Sequence, residues 1–201
     1  MLDAGIRKRI DPVLLGMGRW LSERGATPNG VTVAAFAAGL AAAALIAVHW
    51  FAAGAIVLLL SRLGDGLDGW VARASGRQTD FGGFLDIVLD FAFYGAIPFA
   101  FALANPQENA VPGAFLVLTF YVNGASFLAY AQMSEKRGTV ERGSKSLLYT
   151  TGLAEATETI AVFIAMCLFP AAFGWLAWGF GAVCLYTAFS RIMLAREAFR
   201  D

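Results

Sequence analysis

The chain has 201 residues, of which 58% are apolar and only 15% charged. A soluble domain carries about 25% charged residues, so the composition excludes an ordinary soluble globule and points to an all-α integral membrane protein. The 15 basic and 15 acidic residues cancel, which leaves no bulk charge for binding nucleic acid.

Residues 1–26 come first. Ile6, Ile10, Val13, Leu14, Met17 and Leu21 recur at helical spacing, with Arg7, Lys8, Arg9 and Arg19 between them. That pattern predicts an amphipathic helix lying in the membrane interface, at the least an anchor. The stretch is charged throughout and lacks a continuous apolar core, so no cleavable signal peptide is expected. Thr27-Pro28-Asn29 then turns the chain into the first span, with the proline ring pre-setting the first helical turn.

Residues 27–201 read as one transmembrane domain of six helices. A span needs about 20 mostly apolar residues. The expected spans are Val31–His49, Ala52–Ala72, Phe81–Leu103, Val111–Met133, Leu147–Leu168 and Ala171–Leu194. Asn105-Pro106 and Phe169-Pro170 break the chain between spans. All lysines and arginines fall in four places: the N-terminal segment, the end of the second span and the turn after it, the connection after the fourth span, and the C-terminal end. By the positive-inside rule, both termini and those connections face the cytoplasm, and the protein sits in the cell membrane. Cys167 and Cys184 both lie in apolar runs, which suits packed or lipid-facing thiols better than a disulfide or zinc site. His49 is the only histidine.

The informative stretch runs from Asp65 to Asp90. Asp65 and Asp68 stand three apart near the end of the second span, and Asp86 and Asp90 four apart near the start of the third. Each pair shares a helix face. The two helices are expected to be antiparallel across a short cytoplasmic turn, so the four carboxylates can converge. Carboxylates near lipid are costly unless paired or bound to an ion. Oxygen-only donors suit hard divalent cations. Salt bridges to Arg62, Arg73 and Arg77 are the alternative, but three arginines are too few to neutralise four acids and also hold orientation. Gly69 and Gly82 leave room beside the acids for a bulky ligand to reach the backbone, although glycine also lets membrane helices pack closely.

These residues, Asp65-x-x-Asp68-Gly69-x-x-Ala72-Arg73 followed after eight positions by Gly82-x3-Asp86-x3-Asp90, match the signature of the CDP-alcohol phosphotransferase family. The family's architecture, six helices with a leading interfacial helix, resembles the rest of the chain. The resemblance implies metal-dependent transfer of a phosphatidyl group from a CDP-linked donor, commonly CDP-diacylglycerol, to a small alcohol, with release of CMP. It implies two divalent cations, Mg²⁺ or Mn²⁺, on Asp65, Asp68, Asp86 and Asp90. Asp90 would also be the general base, and Gly69, Ala72, Arg73 and Gly82 would line the CDP site. It further implies a homodimer, for which Gly113, Ala114, Gly124 and Ala125 offer small-residue surfaces. The chemistry of the residues agrees, because paired metal ions can bridge and polarise a diphosphate while a carboxylate takes the acceptor proton.

Two other classes fit less well. A membrane prenyltransferase resembles this chain in pairing aspartate motifs around magnesium, but usually places them far apart and uses more spans. A transporter needs acids along a path across the bilayer rather than gathered at one surface.

The acceptor is less legible. Asn123 in the fourth span, Glu155 and Glu158 in the fifth, and Lys145 and Arg191 are the polar residues expected beside the metals. Both glutamates are expected to face the bundle interior, since lipid exposure is costly. Gly95 and Pro98 resemble the residues after the motif in phosphatidylserine synthases. Phe91 stands where phosphatidylglycerophosphate synthases often carry lysine. Serine, glycerol 3-phosphate and inositol phosphate all stay open as acceptors.

Overall fold

The computed structural model describes residues 4–137 and 156–199, with side chains from residue 14 onward. Among them there is no strand. The helices are α1 (Ala4–Glu23), α2 (Pro28–Ala47), α3 (Phe51–Ser75), α4 (Asp80–Ala104), α5 (Pro106–Lys136), α6 (Ala156–Leu168) and α7 (Phe173–Ala198), with a 3₁₀ turn at Pro170–Ala172 before α7. Among the described residues, four segments are long and apolar enough to cross a membrane: α2, α4, α5 and Pro170–Ala198. Helix α3 is as long as α4, but Arg62, Asp65, Asp68 and Arg73 load its second half with charge. Helix α6 is a shorter apolar helix, and the first half of the expected fifth span lies outside the described residues.

The helix ends follow from local chemistry. The Thr27 hydroxyl accepts the Gly30 N–H at 3.1 Å, capping α2 with Pro28 in its first turn. Helix α3 stops at Gly76, whose φ of +66° suits a residue without a Cβ. The Arg77 N–H returns to the Ala72 carbonyl at 3.1 Å. Thr79 then caps α4 by accepting the Gly82 N–H at 3.0 Å. Stop and start signals three residues apart, Gly76 and Thr79, give the tight reversal between α3 and α4.

The chain forms two compact units. One comprises Met1–Leu45 and Ala52–Phe93, the other Ile46–Phe51 and Tyr94–Asp201. The first is cored by Ala35, Ala42, Leu58, Val71 and Phe93. There α1 approaches α3 closely. A Cβ at Gly18 would lie 2.8 Å from the Trp70 backbone carbon and oxygen, so only glycine lets the helices meet at that distance. The second unit is cored by Ile97, Phe101, Leu116, Phe163, Met166 and Phe173, with the Phe101 and Phe173 rings stacked at 4.6 Å. Gly113 packs against the Pro98 carbonyl, 3.1 Å from where a Cβ would stand. It therefore serves packing within the chain, and is no free surface for a second copy. Cys167 and Cys184 are buried free thiols in this unit.

The outer faces of the helices are strongly apolar. Phe84, Val111, Tyr121 and Trp175 are all exposed, Trp175 by 83%. A water-soluble protein rarely leaves so much apolar surface uncovered.

Candidate metal centre and donor cavity

The acidic residues and their surroundings all lie in the first unit. Asp65 and Asp68 come from α3, Asp86 and Asp90 from α4. One oxygen from each of Asp65, Asp68 and Asp86 lies within 4.8 Å of the other two. All three residues are partly exposed. Three carboxylate oxygens this close, with access to solvent, form the donor set that a hard divalent cation requires. Asp68 is oriented by α2: the Thr32 hydroxyl lies 2.6 Å from its Oδ2 and 3.1 Å from the Pro28 carbonyl. Thr32 has one proton to donate, and the shorter, charge-assisted contact is the stronger.

Asp90 stands apart from that trio. Its Oδ1 accepts a hydrogen bond from Arg62 Nη1 at 2.7 Å, and the same nitrogen lies 3.4 Å from Asp65 Oδ2. The salt-bridge alternative thus holds for one arginine and two of the acids. Arg73 and Arg77 form no ion pair with them among the described residues. The Arg73 guanidinium lies over the Trp70 ring, 4.1 Å from its centre, and folds back above Gly69.

Beside the carboxylates is a cavity of about 240 Å³. Pro28, Asn29 and Thr32 line it from α2, and Asp68, Gly69 and Ala72 from α3. Arg77, Gln78 and Thr79 line it from the turn, and Gly82, Gly83 and Asp86 from α4. The glycines leave it open. A Cβ at Gly82 would sit 3.1 Å from Asn29 Oδ1 and 3.2 Å from Thr79 Oγ1, in space that the cavity's polar rim uses. Gly69, Ala72 and Gly82 all line this cavity. Arg77, rather than Arg73, is the guanidinium-bearing residue that lines the cavity.

Several of these residues were not singled out as site residues from sequence. Asn29 adjoins Pro28, Thr32 stands one helical turn after Pro28 and Thr79 one turn before Gly82, and that proximity to noted features is the available signal. Arg62 was counted only as an orienting cation or a bulk salt bridge, although it stands one turn before Asp65 and so on the same face.

The residues expected on the acceptor side lie in the second unit or outside the described residues. Arg191 Nη1 lies 3.0 Å from both the backbone oxygen and Oδ1 of Asn123, and 2.6 Å from Ser126 Oγ. Asn123 and Arg191 are thus brought together. Glu158 is exposed in the first turn of α6, where an inward, buried position was expected. Glu155 and Lys145 lie outside the described residues.

Comparison with known proteins agrees with this geometry. The inner membrane protein YnjF of Escherichia coli is 47% identical over 96% of this chain and 94% of its own length. The archaetidylinositol phosphate synthase of Pyrococcus horikoshii is 31% identical over 83% of this chain and 82% of its own. Crystal structures of the Mycobacterium tuberculosis phosphatidylinositol phosphate synthase share the fold. The form with CDP-DAG bound gives a TM-score of 0.67, and the complex with manganese and citrate 0.68, each at 23% identity. Each covers 90% of this chain, and 92% and 87% of that chain respectively. The CDP-alcohol phosphatidyltransferase family model matches residues 26–189, and with the aspartates, the glycines and the cavity together in one unit, the chain belongs to that family of transferases.

Proposed function

We propose that the protein transfers a phosphatidyl group from CDP-diacylglycerol to a small phosphorylated alcohol and releases CMP. The observation that carries this reading is the trio of Asp65, Asp68 and Asp86 oxygens beside a cavity lined by Gly69, Ala72, Arg77 and Gly82. The trio and Asp90 would hold two divalent cations, Mg²⁺ or Mn²⁺, whose chemistry is to neutralise the diphosphate and polarise its phosphorus. Gly69, Ala72 and Gly82 admit the CDP portion, while Arg73 and Arg77 supply guanidinium groups for phosphate oxygens. Asp90 accepts the proton of the acceptor hydroxyl. That oxygen bonds to the phosphorus bearing the diacylglycerol, and the bond from this phosphorus to the oxygen of CMP breaks.

Two things support a phosphorylated acceptor. Several relatives are inositol phosphate-type synthases by name, and Arg191 is held by Asn123 and Ser126 as a fixed cation. Lys145 and Glu155 belong to the same proposed acceptor side, with Glu158 at its edge. The surrounding architecture in this reading is a single domain over residues 27–201 with six spans. Helix α1 lies at the interface, and both termini and the site face the cytoplasm. The apolar outer faces and the positions of the basic residues support it. A homodimer is part of the reading, with Ala114 and Ala125 still exposed for it.

The test is CMP release by the purified protein from CDP-diacylglycerol with Mg²⁺ or Mn²⁺, against inositol phosphate, glycerol 3-phosphate, serine and phosphatidylglycerol. Turnover with a phosphorylated alcohol, abolished by EDTA, is expected. Turnover in excess EDTA removes the metal reading, and a preference for serine removes the phosphorylated acceptor.

A further inference from the structure

We propose that Trp70 is a positioning residue for the donor: its ring holds the Arg73 guanidinium at the Gly69 edge of the cavity, off the carboxylates and free to donate to phosphate oxygens. The inference rests on the reading of Arg73 as a phosphate ligand.

The device occupies one turn of α3. A long side chain in a helix leans back toward the N-terminus, over the residues three and four positions before it. For Arg73 those residues are Trp70 and Gly69. The Arg73 Cζ stands 4.1 Å from the centre of the Trp70 ring. Its Nη1 and Nη2 each lie 3.7 Å from where a Cβ on Gly69 would stand, so a long side chain at position 69 would compete for the same space. The ring is anchored in turn. Trp20, Trp50, Trp175 and Trp178 are exposed, as suits tryptophans at a lipid interface, whereas Trp70 is half-buried. At Gly18 of α1, a Cβ would lie 2.8 Å from the Trp70 carbonyl carbon and oxygen and 3.0 Å from its Cβ. Helix α1 therefore holds the root of the ring.

Arg73 shares its helix with Asp65 and Asp68, yet among the described residues it pairs with none of the four acids. An exposed cation–π contact and an exposed ion pair are of similar strength, so the ring is able to hold the arginine against their pull. Stacking uses the flat face of the guanidinium and leaves its N–H edges free, and those edges are what grip phosphate. The position also suits the donor's size. The cavity of about 240 Å³ is smaller than the roughly 300–1,000 Å³ that encloses a drug-sized ligand. CDP-diacylglycerol is larger still, so part of it lies beyond the walls. Gly69 is in the wall and Arg73 is not, which puts the stacked guanidinium at the edge the donor must cross.

Titration of CDP-diacylglycerol in detergent micelles, with Mn²⁺ present and the acceptor omitted, reads donor affinity by itself. Trp70→Leu removes the aromatic face and is expected to weaken donor binding about two- to fivefold, the strength of an exposed cation–π contact. Trp70→Phe keeps a face and recovers most of that affinity. In Arg73→Gln the ring has no cation to hold, so adding Trp70→Leu weakens donor binding no further. Mn²⁺ affinity, read by electron paramagnetic resonance without donor, stays at the wild-type value in Trp70→Leu, because the stacked arginine does not pair with the carboxylates.

Unchanged donor affinity in folded Trp70→Leu overturns the proposal, as does a loss of the same size with and without Arg73, or no recovery in Trp70→Phe. A matching fall in Mn²⁺ affinity also overturns it, since that marks a ring that shapes α3 as a whole. If Trp70→Leu does not fold, Arg73→Lys decides. It keeps the charge and loses the flat group that stacks, so donor affinity falls by a similar factor, and full affinity overturns the proposal. Failure of the underlying reading looks different: the wild-type protein then does not bind CDP-diacylglycerol, or Arg73→Gln binds it as tightly as the wild type.

Discussion

Thr32 contributes one hydroxyl, and its reach to Asp68 Oδ2 is 2.6 Å. Thr32→Val keeps the shape and removes the donor. Groups that hold a metal-binding carboxylate in place are worth about tenfold in metal affinity. The variant is therefore expected to bind Mn²⁺ about tenfold more weakly, measured by titration, with little loss of thermal stability. Asp90 is expected to behave differently. Asp90→Asn leaves Asp65, Asp68 and Asp86 intact, so donor affinity by calorimetry is largely kept. Turnover, read as CMP release, falls by about 10²–10⁴-fold. The aspartates were legible in sequence because carboxylates at three- and four-residue spacing must share a helix face. The pairing of Asp90 with Arg62 was not legible. Counting charges cannot say which acid an arginine one turn away will reach.

Among the elements, α1 is held to α3 through a contact that admits no side chain. The atoms facing Gly18 are the Trp70 backbone, which cannot swing aside as a flexible side chain would. Gly18→Ala is expected to cost about 1–3 kcal/mol of packing strain and to lift α1 from α3. Trypsin cleavage at Arg19 and Arg24 should then accelerate, and turnover should fall, because Trp70 adjoins Asp68 and Gly69 in the chain. Slow cleavage and full turnover would show that the helix adjusts without leaving. The amphipathic spacing in residues 1–26 announced a helix, and Thr27-Pro28 announced the start of the next. Neither carried the information that Gly18 is the docking point. That depends on which residue of α3 lies opposite, a matter of register between helices distant in sequence.

At the scale of the whole molecule, the expected spans lie within or across the observed helices wherever residues are described. Hydropathy reports length and apolarity well, and the all-helical fold followed from it. It reports less in α3, where the site's own charges lower the hydropathy of the helix. The proposed topology puts the α4–α5 turn and the end of α7 on opposite faces of the bilayer. Gln107→Cys and Arg196→Cys are expected to label with an impermeant maleimide from opposite sides of sealed vesicles. Background should be low, because Cys167 and Cys184 are buried. Labelling of both positions from one side would refute the six-span topology.

The charge carried by α3 also bears on how the protein is made. Its uninterrupted apolar part, Phe51–Leu60, is about 15 Å long at the rise of an α-helix, half the thickness of a bilayer core at about 30 Å. An aspartate or arginine at the centre of a helix opposes insertion by about 2.5–3.5 kcal/mol. Emerging from the ribosome, α3 is therefore a poor substrate for the translocon on its own. It becomes a good one once α4, with its long apolar face and the oppositely running chain, can enter with it as a hairpin. Nascent chains truncated before Asp80 are expected to leave α3 outside the membrane, and chains extended through Ala104 to insert both. On the proposed six-span topology, the carboxylate cluster is assembled in the same event that inserts its two helices.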